Sequence, residues 1–195
     1  MNTPGPNAAA VPTQPRVLLH VCCAPCATGC IEALRERFEV VLFFANANIY
    51  PAAELRKRRD AVRRLAAICG CELIEDDAAH AKWLTAVRGL EAEPEGGRRC
   101  RACFSFNLGR AADYAREHGF THFTTTLTVS PHKDARAIAE IGTGLGPFLV
   151  RDFKKRDGFR RSVERSREYG LYRQRYCGCE FSLRPAGDNP AGAGA

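Results

Sequence analysis

Apolar residues along the chain alternate between two patterns. Short, nearly continuous runs read as five strands: Arg16 to Val21 (RVLLHV), Val40 to Ile49 (VVLFFANANI), Cys71 to Ile74 (CELI), Thr121 to Val129 (THFTTTLTV) and Pro147 to Val150 (PFLV). Helical spacing fills the intervals. Ile31, Leu34 and Phe38 place a helix up to about Arg37. Leu55, Val62, Leu65, Ala66 and Cys69 form one stripe opposite Arg56, Arg59 and Arg63, with Pro51 at the first helical position. AKWLTAV continues as helix before the turn EAEPEGG, and a long helix follows from about Arg99 to His118. Ser130 and Pro131 are a good helix start leading to Ile138, Ile141 and Leu145. This alternation predicts an α/β fold of three layers, a parallel sheet with helices on both faces. Sites in such folds lie beyond the carboxyl ends of the strands. CCAPC, NANIYP and TVSPHK each follow a predicted strand, so they are expected to meet at one edge.

Length and 45% apolar content fit one core, a single α/β domain over residues 16–183 with a basic C-terminal lobe from about 151. Residues 1–15 and 184–195 are rich in Pro, Gly and Ala without periodicity and read as flexible tails. No apolar run approaches the roughly 20 residues of a membrane span, and the first residues lack the pattern of a signal peptide. A cytoplasmic protein without membrane association is expected. The net charge of +7 is concentrated: Arg151 to Arg175 holds ten basic and four acidic residues. Such a block either contacts phosphates or forms a solvated helix face.

The ten cysteines change the picture most. In a reducing compartment they point to metal binding or redox chemistry rather than a disulfide scaffold. Cys22, Cys23 and Cys26 sit at a strand-to-helix corner, where the helix N-terminus favours thiolate. RRCRACF adds Cys100 and Cys103 where a loop enters a helix. Two such pairs suit a tetrahedral zinc or an iron-sulfur cluster, and spacing does not choose between them. YCGC places Cys177 and Cys179 one residue apart; joined, they would close a strained, easily reduced ring, as thiolates they would ligate a metal, and otherwise they are an unpaired terminal pair. Cys30, Cys69 and Cys71 read as buried hydrophobes. His132, beside Ser130 and Lys133, is either an anion contact or a solvated cap residue, and Asn46 and Asn48 either bind a polar ligand or shape the turn before Pro51.

The stretches LLHVCCAPC, NANIYPAAELRKR, RRCRACFSFNLGRAADYA, FTTTLTVSPHK, FLVRDFKKRDGFRRS and LYRQRYCGCEFS run in order from Leu18 to Ser182. On them the chain resembles the cobalamin-independent epoxyqueuosine reductases, the QueH family. That resemblance implies reduction of epoxyqueuosine to queuosine at the wobble position of tRNA, the last step of queuosine synthesis. It implies a 4Fe-4S cluster on Cys22, Cys23, Cys100 and Cys103, with Cys177 and Cys179 as the redox-active pair. Cys26 would help hold an additional mononuclear iron. The fold would be a Rossmann-like domain of the nucleotide α-hydrolase type, with the thiol corner where a phosphate loop would sit. Under this reading Asp152, Tyr176 or a cluster-side water supplies a proton, Asn48, Ser130, Lys133 and Lys154 contact the substrate, and an external electron donor is required. Two other classes remain: a zinc-stabilised tRNA-binding module, and a metal-independent thiol-disulfide oxidoreductase.

Overall fold

The computed structural model describes residues 14–155 and 157–183, so the expected tails fall outside the described residues except for Gln14 and Pro15. Four parallel strands, β1 (Arg16–His20), β2 (Glu39–Phe44), β3 (Leu73–Glu75) and β4 (His122–Thr125), form one sheet in the order β3-β2-β1-β4. β1 therefore lies between β2 and β4, its register pairing Leu19 with Leu42 on one side and Thr124 on the other. Because a strand buried on both faces has no solvated side, β1 is apolar at consecutive positions, and Val17, Leu18 and Leu19 are fully buried.

The period-two alternation sorts these side chains to two helical layers. Val17 and Leu19 of β1 and Val21 just beyond it, with Leu42 and Phe44 of β2, pack against α1 (Ala24–Arg35) and α2 (Ala52–Cys69). Leu18, Val41 and Phe43 face α4 (Arg98–Glu117) and α5 (Ala135–Leu145), through Leu108, Ala111 and Ile138. Each such Leu, Val or Phe contributes about 1.5–3 kcal/mol by leaving water. A short α3 (His80–Ala86) buries Trp83 beside α4, and α6 (Gly158–Glu168) lies on α1, tied by Arg161 and Arg165 to Glu32. The result is the expected three-layer α/β fold. No helix among the described residues is long and apolar enough to cross a membrane.

Four local expectations are corrected. Strand β4 ends at Thr125, and Thr126–Val129 forms a 3-10 turn. The β-branched run looks like a continuing strand, but its hydroxyls bond elsewhere: Thr125 Oγ1 accepts from Leu127 N, Thr126 Oγ1 from Cys22 N, and Thr128 donates to Arg151 O. Helix α5 starts at Ala135 rather than after Ser130, because Asp134 Oδ1 caps the amides of Arg136 and Ala137. PFLV makes one parallel bridge, Phe123 to Phe148, instead of a fifth strand. Pro51 is the N-cap of α2, one position before its expected place.

Candidate metal and thiol site

Strand order reverses direction at β1, so the crevice between the carboxyl ends of β1 and β4 is a topological switch point, the usual ligand position of open α/β sheets. His20 closes its floor. Fully buried, its ring spans the three strand ends, with Nδ1 2.9 Å from Thr125 Oγ1 and Nε2 3.2 Å from Ala45 O. Burial pushes its pKa down and keeps the ring neutral. Asn46 donates to Val21 O at 2.8 Å, and Cys22 N donates to Thr126 Oγ1 at 3.1 Å. The three stretches after β1, β2 and β4 thus meet at one edge, as their sequence positions predict.

At this edge the sulfurs of Cys22, Cys23 and Cys26 all lie within 4.8 Å of one another. The chain leaves β1 in extended conformation at Cys23, the N-cap of α1, and Pro25 in the first turn costs no hydrogen bond there. That geometry brings Cys26 under the corner. The three thiols share protons. Cys22 is held well below the ordinary thiol range by hydrogen bonds from Cys23 and then Cys26. Cys23 is pushed up to about 12, first by its bond to Cys22, and Cys26 is pushed well up by bonds to Cys22 and Cys23. Three sulfurs at this spacing could hold a soft metal ion, which would displace their remaining protons.

Cys100 and Cys103 stand on the first turns of α4, outside that compact group. The turn Gly96-Gly97 sets the start of this helix. Gly96 has φ +88°, and its N–H donates to Cys100 Sγ at 3.2 Å. A Cβ on Gly97 would fall 2.8 Å from the Glu93 carboxylate, which itself accepts from Arg98 N. Arg99, 3% exposed, donates from Nη1 to Glu91 O at 2.8 Å and pins the preceding loop. Burial raises Cys103 far above the ordinary thiol range, with Cys177 adding to it. Asn107 Nδ2 is 3.6 Å from Cys103 Sγ and donates to Asn48 Oδ1 at 2.9 Å.

An open cleft lies between the start of α4 and the loop before α5. Cys100, His132, Lys133 and Cys177 are among the residues lining it. Lys133 Nζ stands 3.5 Å from Cys177 Sγ. Burial disfavours the ammonium, but negative charge at Cys177, Cys22 and Cys26 outweighs it and raises the Lys133 pKa. Burial raises the Cys177 thiol, against the opposing effect of Lys133. Cys179 is buried in the small cluster of Trp83, Ala47, Phe181 and Cys103.

The remaining expected site residues hold neighbouring backbone or side chains. Asp152 Oδ1 accepts from Lys154 N at 3.1 Å, and Lys154 Nζ donates to Lys133 O at 2.9 Å. Ser130 Oγ accepts from His132 N at 3.3 Å, and Asn48 is buried in its bond from Asn107. Sequence reading missed Thr126, whose hydroxyl meets both Cys22 N and, at 3.3 Å, Cys22 Sγ. It also missed Arg58, buried under the YCGC turn, though Glu54 and Arg58 stand at the i,i+4 spacing of a helical ion pair.

Fold and site together define the class: an α/β protein whose sheet switch point carries a preformed thiol group faced by further cysteines and a lysine. Residues 17–185 match the model of the family described as Epoxyqueuosine reductase QueH. The chain is 40% identical over 185 residues to Epoxyqueuosine reductase QueH of Streptococcus pyogenes serotype M1, covering 89% of this chain and 72% of that protein. It is 39% identical over 175 residues to Epoxyqueuosine reductase QueH of Thermotoga maritima, covering 86% and 90% respectively. The chain belongs to the epoxyqueuosine reductase QueH family.

Proposed function

We propose that this protein reduces epoxyqueuosine to queuosine in tRNA, using an iron-sulfur cluster held by Cys22, Cys23, Cys100 and Cys103. The observation that carries the reading is the thiol group at the switch point, with its sulfurs within 4.8 Å, in a chain that matches the family along residues 17–185. A donor set of four cysteine sulfurs is the chemistry that such clusters take. When bound, the cluster, with an additional iron at Cys26, supplies electron transfer and Lewis-acid polarisation of an oxygen.

The chain's own residues account for the rest of the balance. Opening the epoxide to an alkene breaks two carbon-oxygen bonds, consumes two electrons and two protons and releases water. Oxidation of the Cys177 and Cys179 dithiol to a disulfide releases two electrons and two protons, and an external donor reduces the pair again. Lys133 stabilises the thiolate of Cys177 at 3.5 Å. Tyr176 donates its hydroxyl to Tyr50 O and holds its proton, since burial and then Glu54 raise its pKa. Asp152, Ser130 and Lys154 brace the loop around Lys133 through the backbone contacts described above, and Asn48 is held by the side chain of Asn107. Arg151, Lys155, Arg167 and Arg175 are exposed and make no ion pair among the described residues, which suits contact with the phosphates of an RNA.

One observation favours a second reading. Three sulfurs within 4.8 Å also suit a single zinc ion, as in a zinc-stabilised RNA-binding module. A single experiment separates the two. Anaerobically purified protein is incubated with a reductant and tRNA carrying epoxyqueuosine, and the digested nucleosides are weighed by mass spectrometry. Queuosine is expected, from a brown protein containing iron and acid-labile sulfide. A colourless, zinc-loaded protein that leaves epoxyqueuosine intact overturns the assignment.

A further inference from the structure

Arg58 lies on α2, away from the thiol corner in sequence, yet it is only 2% exposed. A buried guanidinium needs partners for its charge and for its hydrogen-bond donors. Glu54, one turn earlier and also buried, takes Nε at 2.7 Å. The other two nitrogens point at main chain: Nη1 donates to Cys177 O at 3.0 Å and Nη2 to Tyr176 O at 3.1 Å. Glu54 Oε2 accepts from the Tyr172 hydroxyl at 2.7 Å, so the same ion pair also holds the start of this segment. The guanidinium carbon lies 5.3 Å from the centre of the Tyr176 ring.

The turn is shaped to receive it. Gly178 has φ +129°, a backbone that side chains rarely adopt, and a Cβ there would fall 3.1 Å from Arg58 Nη1 and 3.2 Å from Ile49 Cγ1. The space left by the missing side chain is therefore filled by the guanidinium edge. Tyr50 N then donates to Gly178 O at 2.8 Å and closes the other side of the turn. Between these anchors the two cysteines meet different surroundings. Cys177 Sγ lies near Lys133, whereas Cys179 Sγ sits 3.5 Å from Ser182 Oγ in the Trp83 cluster.

We propose that Arg58 is a positioning residue for the Cys177-Gly178-Cys179 turn, fixing its backbone so that Cys177 faces Lys133 and Cys179 stays buried. The inference rests on the redox role assigned to this pair above. Lysine is no substitute, because one ammonium on a flexible stem does not reproduce a planar fork with three partners in fixed directions.

The test uses the full-length protein purified anaerobically, with Arg58→Lys and Gly178→Ala variants beside the wild type. Alkylation of each cysteine by iodoacetamide is followed by peptide mass spectrometry, and the Cys177-Cys179 disulfide is equilibrated with glutathione buffers. Losing charge-assisted bonds to the turn is expected to speed alkylation of Cys179 about tenfold in Arg58→Lys, with buried Cys30 unchanged. The disulfide equilibrium constant is expected to shift about threefold or more. A folded Arg58→Lys protein with wild-type rates and equilibrium overturns the proposal. So does a rise shared in equal proportion by Cys30, which would mark general loosening. If Arg58→Lys does not fold, Gly178→Ala decides: it keeps the Glu54 pair, pushes the turn off the guanidinium, and must raise the Cys179 rate in the same way. Because no tRNA enters the assay, a protein without reductase activity still reports on the turn.

Discussion

Lys133 Nζ and Cys177 Sγ stand 3.5 Å apart across the cleft that also contains Cys100. The loop before α5 and the YCGC turn are far apart in sequence and meet at this contact between cation and thiol. The lysine opposes the effect of burial on the sulfur.

Replacing Lys133 with Met removes that cation. Burial already raises the Cys177 thiol and Lys133 opposes it, so the variant's pKa moves further up. A charge at this distance is worth about one to three pKa units where solvent is excluded. At pH 8 the alkylation of Cys177 is expected to slow about tenfold, with its pH midpoint displaced upward. An unchanged midpoint would show that the contact carries no electrostatic weight.

The thiols of the corner and of α4 separate by metal content. Cys22→Ala, Cys23→Ala, Cys100→Ala and Cys103→Ala are each expected to lose most iron and acid-labile sulfide after anaerobic purification. Cys26→Ala is expected to lower iron while leaving sulfide at the wild-type level. Loss of both in Cys26→Ala would make it a cluster ligand instead.

The sheet and its site edge follow from the pattern of residues because both depend on features local in sequence. A run such as VLLH is buried on both faces wherever it is placed, and the α2 stripe repeats at helical spacing until Gly70, at φ +60°, ends the helix. What escaped reading depends on partners distant along the chain. Thr126 leaves the strand pattern because its hydroxyl meets Cys22, 104 residues away. Arg58 looks like another charge on a basic helix, and only its contacts with Tyr176 and Cys177 bury it. Asp134 outcompetes Ser130 as a cap because its carboxylate reaches two amides at once.

Two glycines of α5 are expected to respond in opposite directions. A Cβ on Gly142 would lie 2.5 Å from Phe148 Cγ, with two more ring atoms at 2.7 Å, and Phe148 is held against Phe123 at a ring separation of 5.2 Å. Gly142→Ala is expected to destabilise the protein by about 1–3 kcal/mol through overpacking. Nothing lies within 4 Å of the corresponding position on Gly144. Gly144→Ala is expected to stabilise by about 0.4–1 kcal/mol by restricting the unfolded chain. Urea unfolding of both variants reads the two signs directly.

The Glu54 carboxylate has an optical signature. Burial first, and the hydrogen bond to Glu54 second, push the Tyr172 hydroxyl up to about 12. An unfolded tyrosine titrates near 10, so the folded protein keeps this proton longer. The sign follows: the contribution is complete below about pH 10 and is lost as pH rises toward about 12. In Glu54→Gln the phenolate absorbance of this tyrosine, identified by its absence in Tyr172→Phe, is expected to appear at lower pH. An unshifted titration would mean that Glu54 does not govern the hydroxyl.

The basic residues from Arg151 onward divide into paired and unpaired charge. Arg160 pairs with Asp157 and Glu164, Arg161 with Glu32, and Arg165 with Glu32 and Glu168. These guanidiniums would have to exchange protein partners for phosphates. Arg151, Arg167 and Arg175 are exposed and make no such pair among the described residues. Each phosphate neutralised by a free cation steepens the salt dependence of RNA binding by about 0.7 to 0.9 in log-log slope. If the lobe grips tRNA, Arg167→Gln and Arg175→Gln are each expected to weaken binding and flatten the slope by about that amount. Arg161→Gln is expected to change the slope less, because its charge is already answered by Glu32. Equal effects at paired and unpaired positions, measured by binding titrations from low to high salt, would place the RNA on another surface.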